Sequence, residues 1–277
     1  MSADVEARHA AFPRANLMAY STLTLEVSGR IATLTLNRPD KRNAISFTLV
    51  GEFMRALDDV AKSDAQVVIV TGSGKAFCSG MDLDDLKGLV GLSPEQNLRD
   101  SQTMANLFRR IYDFPLPTIA AVNGAAIAGG TGIATMCDFT LAVPESKFGY
   151  TEVRIGFVPA IVSSFLVLQV GHKVARDLLL TGRLFDAAEA QRLGLVNEVV
   201  APADLLPRAH ALATQILENS PSSVRITKRL INGFIREVLD RQIAEAVHDN
   251  AGIRATADFK EGISSFLEKR KPVWSGK

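Results

Sequence analysis

The stretch Ala121-Val122-Asn123-Gly124-Ala125-Ala126-Ile127-Ala128-Gly129-Gly130-Thr131-Gly132 decides how the rest of the chain is read. The apolar run Thr118 to Val122 enters it and reads as a short buried strand. The run Ile133 to Met136 leaves it as an apolar helix. Between them, Gly124, Gly129, Gly130 and Gly132 permit close backbone approach. Backbone N–H groups that open a helix lack an intrahelical acceptor and favour negative charge. The stretch therefore predicts bare backbone donors facing a ligand that is, or becomes, anionic. Close helix packing on small residues is the competing explanation. The density of glycine and alanine favours a site.

Working outward, the same strand-then-loop pattern recurs. Val67 to Val70 is a continuous β-branched run of the kind buried in a parallel sheet, and Gly72-Ser73-Gly74-Lys75 follows as a loop. Thr22 to Val27 alternates, Gly29 turns the chain, and Ile31, Leu34 and Leu36 continue it, which predicts a hairpin. Asn37 to Asn43 is a polar loop broken by Pro39. Phe47, Val50, Met54, Leu57 and Val60 recur at helical spacing. Ser93-Pro94-Glu95-Gln96 is a capped helix start, and that helix is expected to run to about Asp113, before Pro115 and Pro117. Phe139 to Val143 reads as a further strand, and the pattern from about Val162 is mostly helical. Asp186-Ala187-Ala188-Glu189 is a capping box and Leu195 to Val200 a last strand-like run.

Three units follow. Residues 1–19 form an N-terminal extension whose order the sequence leaves open. Residues 20–200 form the β/α-alternating body. Residues 201–277 form a helical region, with Leu205, Ala209, Leu212 and Ile216 on one face, expected to pack on the body or on a neighbouring subunit. In open α/β sheets, ligands sit beyond the carboxyl ends of the strands. The small-residue loops 37–45, 72–83 and 123–132 are therefore expected to line one long ligand.

Composition narrows the function classes. A chain of 277 residues that is 47% hydrophobic supports a large core. With 31 basic against 30 acidic residues, nothing suggests a nucleic-acid or membrane partner. Cys78 and Cys137 are too few for a disulfide framework, and a reducing, cytoplasmic setting is expected. No apolar run approaches the roughly 18–20 residues of a membrane span. His9, His172, His210 and His248 are scattered without metal-ligand spacing, so no metal is expected. Gly130-Thr131-Gly132-Ile133-Ala134-Thr135 approaches a dinucleotide fingerprint, but its third position is Thr and the first Gly does not follow the strand directly. Gly72 to Ala76 lacks the spacing of a phosphate-binding loop, and no G-x-S-x-G elbow is present. Cys78 has no neighbouring His and reads as a buried, inert thiol.

Glu152 is the carboxylate that stands apart. Phe148-Gly149-Tyr150 precedes it and Ile155-Gly156-Phe157-Val158-Pro159-Ala160 follows. In such surroundings a carboxyl has a raised pKa and suits general acid–base work. A surface ion pair with Arg154 is equally compatible with its position.

Together these segments resemble the crotonase, or enoyl-CoA hydratase/isomerase, superfamily. The resemblance is carried by Asn37-Arg38-Pro39 with Arg42-Asn43-Ala44, by Gly72 through Leu83, by Ala120-Ala121-Val122-Asn123-Gly124 with Ala128-Gly129-Gly130, and by Cys137-Asp138. Phe148-Gly149 through Glu152 to Gly156, Leu180-Thr181-Gly182-Arg183, Gly194-Leu195-Val196 and Glu261-Gly262 with Phe266 to Arg270 extend it over about residues 20–275. It implies a ClpP/crotonase-like α/β spiral of ββα units with a C-terminal helical trimerisation region, assembled as a homotrimer or a dimer of trimers. It implies an acyl-CoA or enoyl-CoA thioester held by Arg42, Ala44, Ser79, Met81, Asp82 and Leu83, with Lys269 near the CoA phosphates. Coenzyme A then enters as part of the substrate, with no separate cofactor. The resemblance also implies an oxyanion hole from the N–H groups of Met81 and Gly129, and Glu152 as the acid/base group. Many relatives of this kind carry a second catalytic glutamate; its position here is Gly132. The expected function is addition of water across a 2-enoyl-CoA double bond by a single glutamate. Δ3,Δ2-enoyl-CoA isomerisation, or a catalytically silent acyl-CoA-binding role, are the alternatives.

Overall fold

The computed structural model describes residues 20–277; the expected 1–19 extension lies outside them. The described residues open with a hairpin, β1 (Leu23–Ser28) and β2 (Ile31–Leu36), paired antiparallel about Gly29, whose φ is 57°. Helix α1 (Phe47–Lys62) follows, capped by Ser46 Oγ, which accepts from Leu49 N at 3.1 Å. Its buried stripe is Leu49, Val50, Phe53, Ala56, Leu57 and Val60. The body then repeats a two-strand step. Strands β3 (Val67–Gly72) and β4 (Ala76–Cys78) lead into α2 (Leu83–Leu89) and α3 (Pro94–Tyr112). Strands β5 (Thr118–Val122) and β6 (Ala125–Ile127) lead into α4 (Gly129–Met136). Strands β7 (Phe139–Ala142) and β8 (Lys147–Gly149) lead into α5 (Ala160–Thr181). Short elements β9 (Phe185–Asp186), α6 (Ala187–Arg192) and β10 (Glu198–Val199) close the body, and α7 (Leu205–Leu217), α8 (Pro221–Gly233), α9 (Arg236–Gly252) and α10 (Ala257–Leu267) complete the chain.

The first strand of each step joins one sheet, ordered β1-β2-β3-β5-β7-β10 and parallel from β2 onward. The second strand joins another sheet, ordered β4-β6-β8-β9. This is the expected spiral of ββα units. The segments 72–83 and 123–132, read as loops from sequence, contain β4 and β6. Strands of three residues are too short to show a period, which is why the pattern hid them. Leu195 to Val200 yields only the two residues of β10.

The helical region folds back onto the body. Leu239, Ile243, Ala246 and Val247 of α9 join the main core with Ala105, Leu107 and Phe108 of α3 and Phe165 and Leu166 of α5. Leu205, Ala209 and Ala213 of α7 cover the other face of the main sheet, against Val67, Ile69, Ile119, Ala121 and Leu141. Among the described residues, no helix is long and apolar enough to cross a membrane.

Candidate active site

The opening stretch builds a backbone platform. The Thr131 hydroxyl donates to Ala126 O at 2.6 Å and accepts from Gly149 N at 3.1 Å, so it ties the start of α4 to both β6 and β8. Ala128 N donates to Gly149 O at 2.7 Å. Ala128 sits at φ 51°, ψ −121°, a backbone region a Cβ-bearing residue rarely occupies. That strained turn starts the helix abruptly, and Gly129 is its first residue. The Gly129 N–H therefore has no acceptor in its own helix.

A second donor is presented from the segment after β4. Ile45 and Met81 form a parallel bridge in which Ile45 N donates to Gly80 O at 2.7 Å and Asp82 N donates to Ile45 O at 2.8 Å. This pattern uses the groups either side of Met81 and leaves the Met81 N–H directed away from Ile45. Asn43 fastens the first loop to the second. It is buried at φ 55°, which Asn tolerates better than most residues. Its Oδ1 accepts from Arg38 N at 2.8 Å, and its Nδ2 donates to Ser73 O and Ala76 O at 2.9 and 2.8 Å.

Met81 and Gly129 both line a cavity of about 740 Å³. Arg42, Ala44, Ser79, Asp82 and Leu83 also line it, as does Glu152. The three expected loops thus meet at one cleft. Lys269 does not line it; this residue is exposed just past the end of α10, whereas Phe266 on the same helix reaches the cavity.

Glu152 opens a 3-10 turn, Glu152–Ile155, that Gly156 closes at φ 65°. A side chain at Gly156 would collide with the Asp258 backbone, so the turn is pressed against the start of α10. Glu152 is 9% exposed, and among the described residues its Oε2 has no hydrogen-bond partner. It makes no ion pair with Arg154, which is exposed. Burial pushes its carboxyl up from 4.5 to about 7. Of the two positions the sequence allowed for Glu152, the structure has the buried, unpaired one.

The other carboxylates nearby are committed elsewhere. Asp82 Oδ2 lies 2.7 Å from Arg38 Nη2, and its Oδ1 accepts from Asp84 N at 2.9 Å to cap α2. Although burial opposes it, the Asp84 N–H and the Arg38 guanidinium hold the Asp82 carboxyl below its usual range. Asp85 accepts from Phe47 N at 2.8 Å. A side chain at Gly132 would displace Phe108 and Val162 from their present positions, because a Cβ there would fall 2.8 Å from Phe108 Cε1 and 2.9 Å from Val162 Cγ1. Phe108 and Val162 also wall the cavity. Their part was invisible in the sequence, where each is one apolar residue on a helix. Cys78 is fully buried and its thiol is pushed up to about 12, which fits the inert reading.

The family model described as enoyl-CoA hydratase/isomerase matches residues 26–277. The chain belongs to that family. A relative from Thermus thermophilus, whose enoyl-CoA hydratase name is provisional, is 46% identical over 245 residues, which cover 88% of this chain and 97% of the relative. A crotonyl-CoA hydratase of Syntrophomonas wolfei is 37% identical, over 92% of this chain and 98% of its own. The crystal structure of an enoyl-CoA hydratase/isomerase from Xanthobacter autotrophicus Py2 superposes with a TM-score of 0.85 at 30% identity, covering 90% of this chain and 94% of that one.

Proposed function

We propose that this protein adds water across the double bond of a 2-enoyl-CoA thioester, with Glu152 as its single proton carrier and the N–H groups of Met81 and Gly129 as oxyanion donors. The observation that carries this reading is a buried, unpaired carboxyl raised to about 7 in the same cavity as two backbone donors.

Ionised Glu152 takes a proton from water as the water oxygen bonds to C3 of the enoyl group. The C2–C3 π electrons move into the thioester, and negative charge gathers on its oxygen. Met81 N–H and Gly129 N–H stabilise that oxyanion, an effect worth roughly 3 kcal/mol per donor in well-formed sites. Protonated Glu152 then delivers its proton to C2, the thioester carbonyl reforms, and the carboxylate is regenerated. A carboxyl near neutrality suits both transfers, since neither protonation state is costly to reach. Asp82, held ionised by Arg38, serves the scaffold in this scheme.

Arg42, Ala44, Ser79, Met81, Asp82 and Leu83 would hold the CoA portion, supported by their place on the cavity wall. The role of Lys269 toward the CoA phosphates rests on the family resemblance. A homotrimer or dimer of trimers is supported by the apolar side chains that α8 and its flank leave exposed, Ile226, Leu230, Ile231, Phe234 and Val238. The two free cysteines suit a cytoplasmic setting.

Double-bond isomerisation needs only one proton carrier, and glycine at position 132 keeps it as the second reading. Incubation with crotonyl-CoA and, separately, a 3-enoyl-CoA decides between them. Consumption of crotonyl-CoA with formation of the 3-hydroxyacyl thioester is expected. Turnover of the 3-enoyl-CoA alone would replace hydration by isomerisation.

A further inference from the structure

One part of the cavity has a chemistry that hydration does not use. Arg254, in the turn after α9, and Asn250, on α9, line the cavity together with Phe157. Both polar side chains are buried, Arg254 at 3% exposure. Arg254 Nη2 lies 2.6 Å from Asp100 Oδ2 on α3 and donates to Asn250 Oδ1 at 2.9 Å. Arg254 Nη1 donates to Asn97 Oδ1 at 3.2 Å. Its guanidinium carbon stands 5.4 Å from the centroid of the Phe157 ring. Among the described residues, Arg254 Nε donates to nothing, and neither Asp100 oxygen accepts a hydrogen bond although Oδ2 lies within ion-pair distance.

A buried donor without an acceptor carries a desolvation cost, and a buried ion pair seldom stabilises more than apolar packing of the same volume. A wall meant only for an alkyl chain would be cheaper built from leucine. Phe157 links this cluster to the reacting end, since its own N–H donates to Glu152 O at 3.0 Å. Phe157 thus touches both the Glu152 turn and the Arg254 guanidinium on the wall of one cavity, and none of the residues expected to hold the CoA portion belongs to this cluster. Asp100 already balances the Arg254 charge, so a neutral acceptor is favoured over a carboxylate, which would have to sit beside Asp100.

We propose that Arg254, with Asn250, receives a neutral oxygen at the far end of the acyl chain, so that the preferred substrates are 2-enoyl thioesters with a keto- or hydroxyl-bearing tail. This rests on the reading of the cavity as an enoyl-CoA site. The test compares binding of unreactive saturated acyl-CoAs, in matched pairs with alkyl and oxygenated tails, over a series of acyl lengths. At the length that reaches Arg254, the oxygenated partner is expected to bind about tenfold tighter, the worth of one hydrogen bond to a charged donor. The preference should vanish in Asp100→Asn/Arg254→Met, which removes both charges together, and shrink in Asn250→Leu. Equal binding by wild-type protein at every length overturns the proposal, and that comparison needs no variant to fold. A preference unchanged in both variants also overturns it. Tighter binding of a carboxylate tail than of a keto tail overturns the neutral-acceptor assignment. Crotonyl-CoA turnover, run in parallel, reports on hydration alone: inactivity there removes the proposed reaction, while the tail comparison is decided by binding.

Discussion

Glu152 and Asp82 are two buried carboxylates on the wall of one cavity, and their surroundings push them in opposite directions. Asp82 has a guanidinium at 2.7 Å and a backbone N–H at 2.9 Å, and stays ionised below its usual range despite burial. Glu152 has burial without a partner for Oε2, and its carboxyl rises to about 7. Both lie on the cavity wall, so location alone does not select the acid/base group. Partners do: a carboxylate already neutralised is a fixture, and one left alone is free to exchange a proton.

The largest expected effect breaks the comparison at its active end. Glu152→Gln keeps the shape and removes the proton carrier. Turnover of crotonyl-CoA should fall by about 10³-fold or more, while affinity for a saturated acyl-CoA stays within a few-fold. Retained turnover would remove Glu152 from the reaction.

The same substitution should stabilise the fold, with a sign set by pH. Between 4.5 and about 7 the unfolded chain has lost this proton and the folded chain keeps it. The stability associated with the raised pKa is therefore present below 4.5 and lost as pH rises through 7. Glu152→Gln should gain on the order of 3 kcal/mol over wild type at pH 8 and almost nothing at pH 4. Thermal unfolding at the two pH values reads the difference. An equal gain at both would mean that ionisation of Glu152 is not what the fold resists.

Asp82→Asn attacks the fixture. Losing a mostly buried pair with Arg38 should cost about 3 kcal/mol. Activity should fall mainly through weaker thioester binding, and the pH midpoint of kcat/KM should stay near 7, where Glu152 titrates. A shifted midpoint would move Asp82 into the proton path. The smallest effect concerns Gly132. Gly132→Ala should cost about 1–2 kcal/mol by crowding Phe108 and Val162. Its cost should shrink in a Phe108→Leu background, and strict additivity in that cycle would show the ring is not the obstacle.

Much of this was legible along the chain. The hairpin about Gly29, the apolar strand at Val67 and the Ser93–Gln96 cap are signalled by neighbours in sequence. The cap forms as expected, with Ser93 N donating to Gln96 Oε1 at 2.8 Å and Gln96 N to Ser93 Oγ at 3.3 Å. Glu152 could be singled out by its small and apolar neighbours, yet whether Arg154 paired with it depended on which way each side chain turned. The second sheet was hidden because its strands are two or three residues long. Arg254 gave no signal, since it acquires meaning only when α3 brings Asn97 and Asp100 to it from about 150 residues away. The crowding at Gly132 was equally out of reach, because Phe108 and Val162 arrive from separate helices.

The wall of the cavity is drawn from Asp40 at one extreme and Phe266 at the other. Synthesis proceeds from the amino end, and early segments begin to organise before late ones exist. The sheets can thus begin to organise while the Glu152 turn still lacks α10, which presses on it at Gly156, and the cleft lacks the side supplied by Asn250, Arg254 and Phe266. Only when that last stretch leaves the ribosome and packs against the rest can the pocket close around a thioester. Competence to bind is therefore among the last properties the newborn chain acquires.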